Sequence, residues 1–228
     1  MTARDGADSA GVPWAGRTLS AQPFAGDDGS CDPTLAAALA GGSLADVVRA
    51  WAPSRVLVPV VAVLGDGDDL VAVAGDKSAD MALATLTGRD GTRALPVFTA
   101  TAALAAWDAA ARPVPVEAAR AAQAAVAEGC DVVVLDVAGP ASRVLPRPAV
   151  WAVAQGRDWV PPWEDGEVLA EVAAACGEVP HRCAASGDAG LEITLPASAR
   201  EATRQVAERL GASDLLRERL ESVHVTLR

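Results

Sequence analysis

The chain has 228 residues, which is long enough for one or two domains that each bury a hydrophobic core. Its 30 acidic residues exceed its 19 lysines and arginines by 11, which argues against non-specific binding to nucleic-acid phosphates or anionic membranes. The sequence has neither an uncharged run of the roughly 18 to 20 residues that a membrane span needs nor an early apolar stretch typical of a secretion signal. We therefore expect a cytoplasmic protein with no nucleic-acid partner and no membrane partner.

The first part of the chain is predicted to be a tail followed by two capped helices. Residues 1–31 are rich in Gly, Ala, Ser and Asp, and their scattered apolar residues fit no helix or strand period, which predicts a disordered tail. Asp32 and Pro33 are typical of the N-cap and the first turn of a helix that reaches a glycine pair. Ser43 is predicted to cap a second helix ending near Trp51.

An acidic loop is predicted to follow the first strand. The β-branched run Val56–Leu64 predicts that strand, and Pro59 within it indicates an edge or a bulge. The loop from Gly65 to Asp80 lacks the third glycine and the following helix of a dinucleotide-binding turn, which favours a solvated connection. A partner contact is the alternative for this loop. The residues considered for that contact are Asp66, Asp68, Asp69, Asp76 and Lys77.

The segment after this loop is predicted to contain a hairpin and a run resembling a βαβ unit. Met81–Thr87 and Arg93–Phe98 flank an Asp-Gly pair typical of a hairpin turn. The further predicted elements are a helix over Thr101–Ala111, an extended piece at Val114 and Val116, a helix over Glu117–Glu128, a buried strand over Val132–Val137, a strand over Arg143–Leu145 and a helix from Pro148 to Gly156. The sequence thus predicts a first domain over residues 32–158, with a mixed sheet and flanking helices.

The second domain is predicted to be a small α+β unit over residues 167–228. A connector over residues 159–166 contains a proline pair between Trp159 and Trp163, a composition suited to a semi-rigid link. The predicted elements beyond it are a helix over Glu167–Cys176, strands over Val179–Ala185 and Leu191–Leu195, a helix over Ala199–Leu210 and a strand over Ser222–Leu227. The fold class is therefore α/β, in the mixed α+β sense.

Three potential zinc ligands lie close together in the second domain. Cys176, His181 and Cys183 fall within eight residues, but a structural zinc site needs four ligands and a fourth is hard to name. We therefore predict no metal and no cofactor. Cys130 lies between a predicted helix and a buried strand, so it is interpreted as a small core residue.

The tryptophans have two interpretations. Trp107 and Trp151 lie on Ala-rich helices, where their bulk is expected to fill gaps in a core of small residues. Trp159 and Trp163 flank the proline pair, and such segments serve both as domain seals and as partner-binding edges. We favour the seal and keep the two residues as candidates for a partner contact.

Several segments together resemble a known family. They are Asp76–Leu83, Gly88–Thr99, Trp107, Ala111–Val116, Val133–Asp136 and Leu145–Pro148, and the stretch Leu-Pro-Val-Phe-Thr ending at Thr99 is the most specific. Over residues 32–163 the chain resembles the N-terminal domain of the SseB family, and its high alanine content and single lysine resemble actinobacterial members. A small C-terminal domain also fits that family. The resemblance implies the fold but designates no catalytic residue.

The sequence favours a non-catalytic interaction or accessory protein, whose protein partner and oligomeric state it does not identify. It contains no convergent set of nucleophile, base and electrophile-stabilising group. Two alternatives remain open: a small-molecule-binding domain, or an enzyme of unrecognised type. The groups considered for the enzyme are Asp66, Asp68, Asp76, Asp80, Asp136 and His181.

Overall fold

The computed structural model describes residues 24–62, 81–137 and 139–228. Eight α-helices lie within these residues: α1 Pro33–Gly41, α2 Leu44–Trp51, α3 Thr101–Trp107, α4 Ala118–Ala127, α5 Arg147–Ala154, α6 Gly166–Cys176, α7 Arg200–Ala212 and α8 Asp214–Arg219. A short 3-10 helix spans Ala197–Ala199. No helix in this part of the chain has the length and apolar character needed to cross a membrane.

The described strands form three hydrogen-bonded sheets. They are β1 Arg55–Ala62, β2 Met81–Leu83, β3 Leu86–Thr87, β4 Arg93–Val97, β5 Arg112–Glu117, β6 Val132–Leu135, β7 Arg143–Leu145, β8 Arg182–Ser186, β9 Gly190–Leu195 and β10 Ser222–Leu227. The strand orders are β2-β1-β5, β3-β4-β6-β7 and β10-β9-β8. Mixed sheets with helices confirm the predicted fold class.

The first two sheets are joined into one surface at a single bridge. The amide of Leu57 in β1 donates to the carbonyl of Phe98, and the amide of Phe98 donates back to Leu57, both at 2.8 Å. Beside this bridge, β4 and β6 run parallel, with Leu95 opposite Val133. The two parallel strands therefore end side by side, and the chain after each of them lies at the same edge of the sheet.

Side-chain caps fix the starts of the first two helices, as predicted. The carboxylate of Asp32 accepts hydrogen bonds from the amides of Thr34 and Leu35. Ser43 forms a capping box with Asp46, in which each side chain accepts from the other residue's amide. These bonds satisfy amides that have no partner inside a helix, so the role of Ser43 is that of the N-cap of α2.

The described residues contain two large apolar cores. The first joins α1, α2, α4 and α5 to the first two sheets, and its members range in sequence from Leu35 to Val153. Trp51 of α2 is fully buried in it. The second joins α6, α7 and α8 to the third sheet, from Val168 to Leu220. The division of the chain into two domains at residues 159–166 stays a prediction.

The predicted hairpin is wrong in its first half. Met81–Leu83 pairs with β1, and only Leu86–Thr87 pairs with β4. Between them, the amide of Ala84 donates to the carbonyl of Pro59 at 3.3 Å. The turn signal after Thr87 indicates a hairpin without showing how far back the pairing extends, and here the chain passes from β4 to β1 as its neighbour within a few residues.

Two further expectations differ from the structure. The helix predicted to reach Ala111 ends at Trp107, because Asp108 begins a turn in which its carboxylate accepts from the amide of Ala110. The supposed βαβ run has β5 antiparallel to β1 instead of beside β6, so the parallel pair is β4 with β6.

Within residues 24–62, 81–137 and 139–228, no strand pairs with the outer edge of β5, and prolines line that edge. The amide of Ala118 donates to the carbonyl of Ser54, so the main-chain groups of Val114 and Val116 face β1. Pro113 and Pro115 occupy the alternate positions, which face away from β1. An incoming strand would find no amide donors there, so this edge is protected against strand pairing.

Only the last part of the predicted tail is described, and the predicted acidic loop is not. Residues 1–23 and the loop at 65–80 lie outside the described residues. In residues 24–31, Asp27 forms an ion pair with Arg55 at 2.6 Å, and Gly29 accepts from the amide of Thr101. This stretch differs from the predicted disorder because its polar groups have fixed partners on β1 and α3.

Candidate functional site

The predicted partner-contact residues are only partly described. Asp66, Asp68, Asp69, Asp76 and Lys77 lie outside the described residues, so their interpretation stays a prediction. Trp159 is half-buried against the first core, and its indole nitrogen is buried without a hydrogen-bond partner among the described residues. Trp163 packs against the second core. The two side chains thus contact different cores, an arrangement suited to a seal between them.

Ion pairs join α8 to residues within and next to the connector at residues 159–166. Arg157 contacts Glu218 of α8 through an ion pair. Arg219 contacts the carboxylate of Asp165 at 2.8 Å and that of Glu167 at 2.5 Å, and the hydrogen bond that Arg219 donates to Asp165 is the main reason that the pKa of Arg219 is raised. A neighbouring cavity of about 320 Å³ is lined largely by these charged groups. The pairs connect residues of the connector to α8.

An open groove lies along one side of the third sheet, and we name it the α7–β10 groove. Its volume is about 390 Å³. The apolar residues that line it are Ala207, Leu210 and Gly211 of α7, Leu216 of α8, Leu220, and Val223 and Val225 of β10. Leu210, Leu216 and Leu220 are buried and form its floor, while Ala207 is exposed. Size and lining fall within the range of protein sites that bind small ligands or single side chains.

Charged side chains mark the rim of this groove. Arg147 at the start of α5 lies over the ring of Trp151, 5.3 Å from its centroid, and has no ion-pair or hydrogen-bond partner among the described residues. Arg217 is paired with Asp214 at 2.5 Å, and Glu221 contributes a carboxylate to the lining. Arg147 is therefore a cation available to a bound group.

A second cluster lies where β4 and β6 end. The buried carboxylate of Asp136 accepts from the amide of Thr99 at 2.8 Å and from its hydroxyl at 2.7 Å. Asp136 has a φ of 48°, in the left-handed region that non-glycine residues rarely adopt. Both carboxylate oxygens have partners within the fold, so this geometry holds the strand ends together. It does not favour Asp136 as a catalytic base.

The cysteines are all free thiols. Burial raises the pKa of the Cys31 thiol, and it does the same for Cys130, Cys176 and Cys183. A raised pKa keeps a thiol protonated near neutral pH, where it is a poor nucleophile and a poor metal ligand. Cys130 lies in the first core, as predicted.

Cys176, His181 and Cys183, the three potential zinc ligands, all lie among the described residues. Within the part of the chain that the structure describes, no three Cys, His, Asp or Glu residues come together as potential metal ligands. The ring Nδ1 of His181 lies 3.1 Å from the carbonyl of Val179. Cys176 is buried in the second core and Cys183 packs at its margin.

The α7–β10 groove was not anticipated, although its parts have signals in the sequence. Ala207, Leu210 and Gly211 are three and four residues apart, so they share one face of a helix. Val223 and Val225 alternate, so they share one face of a strand. The helix α8, which closes the groove with Leu216, was missed because it is short and strongly charged.

Comparison with known proteins identifies the family. A model of the SseB protein N-terminal domain matches residues 34–152, which is more than half of the chain. Comparisons with curated proteins and with solved structures gave no match. The matched range contains all of the first core except Val153, the parallel pair of β4 and β6, and the Thr99–Asp136 cluster. The resemblance to the SseB N-terminal domain is thereby confirmed, and the chain belongs to the SseB family.

Proposed function

We propose that this protein is a non-catalytic accessory protein that binds another protein through the α7–β10 groove, and that it does so in the cytoplasm. The observation that carries the proposal is the groove itself, an open apolar surface with Arg147 at its rim, a cation that has no ion-pair partner among the described residues. Covering apolar surface contributes roughly 25 cal/mol per Å² to binding. Surfaces of this kind are typical of protein interaction sites.

Two further observations support the proposal. The described carboxylate closest to the ends of the parallel strands, that of Asp136, is engaged by Thr99 and is not free for acid–base chemistry. All four cysteines are free, which is the usual state in a reducing compartment and supports a cytoplasmic location. We also propose the two-domain division, with residues 159–166 as the connector between an SseB-type domain and a small C-terminal domain.

A charge placed inside the groove tests the proposal. Ala207 is exposed on α7 and lines the groove, so Ala207→Glu introduces a carboxylate there without removing core packing. Ala105→Glu is the matched control, since Ala105 is an exposed residue of α3. Each protein is immobilised, proteins captured from a lysate are identified, and each captured protein is purified for a direct affinity measurement.

The expected result is a partner that the original chain and Ala105→Glu bind with similar affinity. Ala207→Glu is expected to bind this partner at least about tenfold more weakly. Circular dichroism melting checks that the three proteins are equally folded. If the purified partner binds all three equally, the groove is not its site and the proposal is wrong. If native mass spectrometry instead finds a small molecule that only the Ala105→Glu and original chains retain, the groove belongs to a ligand-binding domain.

A further inference from the structure

One wall of the α7–β10 groove is an edge strand. In the third sheet β10 pairs with β9 alone, in parallel register from Ser222 opposite Gly190 to Leu227 opposite Leu195. Its other edge has no strand beside it among the described residues. Such an edge presents main-chain donors and acceptors that a further strand can use.

The direction of those main-chain groups follows from the hydrogen bonds at the end of β10. The amide of Arg228 donates to the carbonyl of Leu195 at 2.9 Å, and its carbonyl accepts from the amide of Ala197 at 2.8 Å. The main-chain groups of Arg228 therefore face β9. Because this direction alternates along a strand, the amides and carbonyls of Val225 and Leu227 face the open edge.

The β10 edge lacks the protection found on β5. Residues 222–227 contain no proline, whereas Pro113 and Pro115 remove the outward donors of β5. The side chains of Val223 and Val225 contribute to the groove beside this edge. Open main-chain groups and an apolar groove thus lie side by side, which is the arrangement that proteins use to bind an extended peptide by adding a strand.

The charged residues that line the groove indicate which charge a bound peptide segment would have. Arg147 has no acidic partner among the described residues, whereas Arg217 is already paired with Asp214. Glu221 lies in the same lining and repels further negative charge. One carboxylate placed opposite Arg147 complements this pattern better than a strongly acidic or a basic segment.

We infer that the α7–β10 groove binds an extended segment of a partner protein, which pairs with the open edge of β10 and places one acidic side chain against Arg147. This inference rests on the proposed function and specifies its binding mode. A second copy of β10 fits less well. Its residues 222–228 include His224 and Arg228 but neither Asp nor Glu, so a paired copy brings no acidic side chain to Arg147.

A proline at Val225 tests the strand pairing. Val225→Pro removes an outward amide, and edge strands tolerate proline at such positions. Val225→Thr is the matched control, because it keeps the amide and the branched shape. Leu227→Pro and Leu227→Thr form a second pair at a more exposed position, for use if Val225→Pro lowers the melting temperature too far. The probe is a phage-displayed library of random peptides, selected on the full chain.

The selected peptides are expected to alternate apolar and polar residues and to contain Asp or Glu. Fluorescence polarisation is expected to give affinities about tenfold weaker for the proline variant and nearly unchanged affinities for the threonine variant. Arg147→Gln is expected to weaken binding of the acidic peptides and to leave analogues with Gln or Asn at that position unaffected.

Several outcomes would overturn the inference. The first is equal binding of the selected peptides to the proline and threonine variants. The second is a selection that enriches no peptides. The third is enrichment of peptides whose apolar residues lie three and four apart, a spacing typical of a helix. Light scattering that finds a dimer abolished by Val225→Pro would assign the edge to a second copy. If Ala207→Glu abolishes partner binding and Val225→Pro does not, the proposed function stands and strand pairing is wrong.

Discussion

Thr99 and Asp136 hold the ends of the parallel strands β4 and β6 together through two hydrogen bonds to one buried carboxylate. Residue 136 adopts a left-handed backbone to bring that carboxylate into place. Asp and Asn accept this conformation more readily than other non-glycine residues, because their short side chains bond locally. The pair therefore combines a backbone requirement with a side-chain requirement at one position.

Removing this carboxylate is expected to destabilise the fold. Asp136→Ala leaves the buried amide and hydroxyl of Thr99 without their acceptor, at a cost of about 2 to 3 kcal/mol. Asp136→Asn keeps one acceptor and tolerates the backbone, so its cost is expected to be smaller. Urea denaturation measures both, with the exposed Asp188→Ala as the control. Equal stabilities for Asp136→Ala and Asp188→Ala would contradict the structural role.

The second prediction concerns Asp165, which caps α6 and binds Arg219. Its carboxylate accepts from the amides of Glu167 and Val168 as well as from the guanidinium. Asp165→Ala loses the cap and the pair together and is expected to cost about 1 to 2 kcal/mol. Arg219→Gln keeps the cap but removes the ion pairs of Arg219 with Asp165 and Glu167, and it is expected to cost less than about 1 kcal/mol.

The matched control for Arg219→Gln is Arg204→Gln, in a solvent-exposed pair with Glu208 at 3.9 Å. It is expected to change the free energy of unfolding by less than about 0.5 kcal/mol. Thermal unfolding followed by circular dichroism compares the variants. A larger loss for Arg219→Gln than for Asp165→Ala would contradict the expected order, in which the cap contributes more than the ion pairs of Arg219.

The third prediction is a pH dependence at the start of α2. The hydroxyl and the amide of Ser43 lower the pKa of Asp46 below its ordinary value of 3.8. A lowered pKa in the folded protein contributes stability that is present above the unfolded value and is lost as the pH falls through the folded value. Asp46→Ala is therefore expected to be less stable than the original chain at neutral pH.

That difference in stability is expected to shrink below about pH 3.8. Urea midpoints of the two proteins across the acidic range provide the measurement. A difference that stays constant down to the acid end of the range would exclude the ionised carboxylate as its source.

The fourth prediction concerns the cysteines. Because burial raises their pKa, all four thiols are expected to react with iodoacetamide more slowly in the folded protein than in urea near neutral pH. Cys31 and Cys183 are half-buried and are expected to react before Cys130 and Cys176, which are buried. Mass spectrometry of peptides over time gives the order. Rapid labelling of Cys176 in the folded protein would indicate a reactive thiol.

Local chemistry made some elements predictable. The caps at Asp32 and Ser43 act within three residues, and β10 agrees with the predicted strand over residues 222–227. Alternation and capping depend on neighbours in sequence, so they can be recognised without knowing the fold. The resemblance also identified the family, which a family model matching residues 34–152 confirms, while the bounds of the first domain stay a prediction.

Contacts between distant residues were not predictable in the same way. Thr99 and Asp136 are 37 residues apart, and nothing local shows that a parallel pair brings them together. The sequence drew attention to Trp107 and Trp151, whereas the most buried tryptophan in the described part of the chain is Trp51. Both of the former are only half-buried, beside Phe98 and Arg147 respectively. Burial of a large side chain depends on which helices pack over it.

The first core has a consequence for synthesis of the chain. Trp51 of α2 shares this core with Val150 and Val153 of α5, which are made about a hundred residues later. At about 5 to 20 residues per second, the ribosome needs roughly 5 to 20 seconds to add that stretch. During this interval α2 lacks the α5 residues that complete its surroundings. The nascent chain therefore presents an apolar helix face to chaperones before its own fold can cover it.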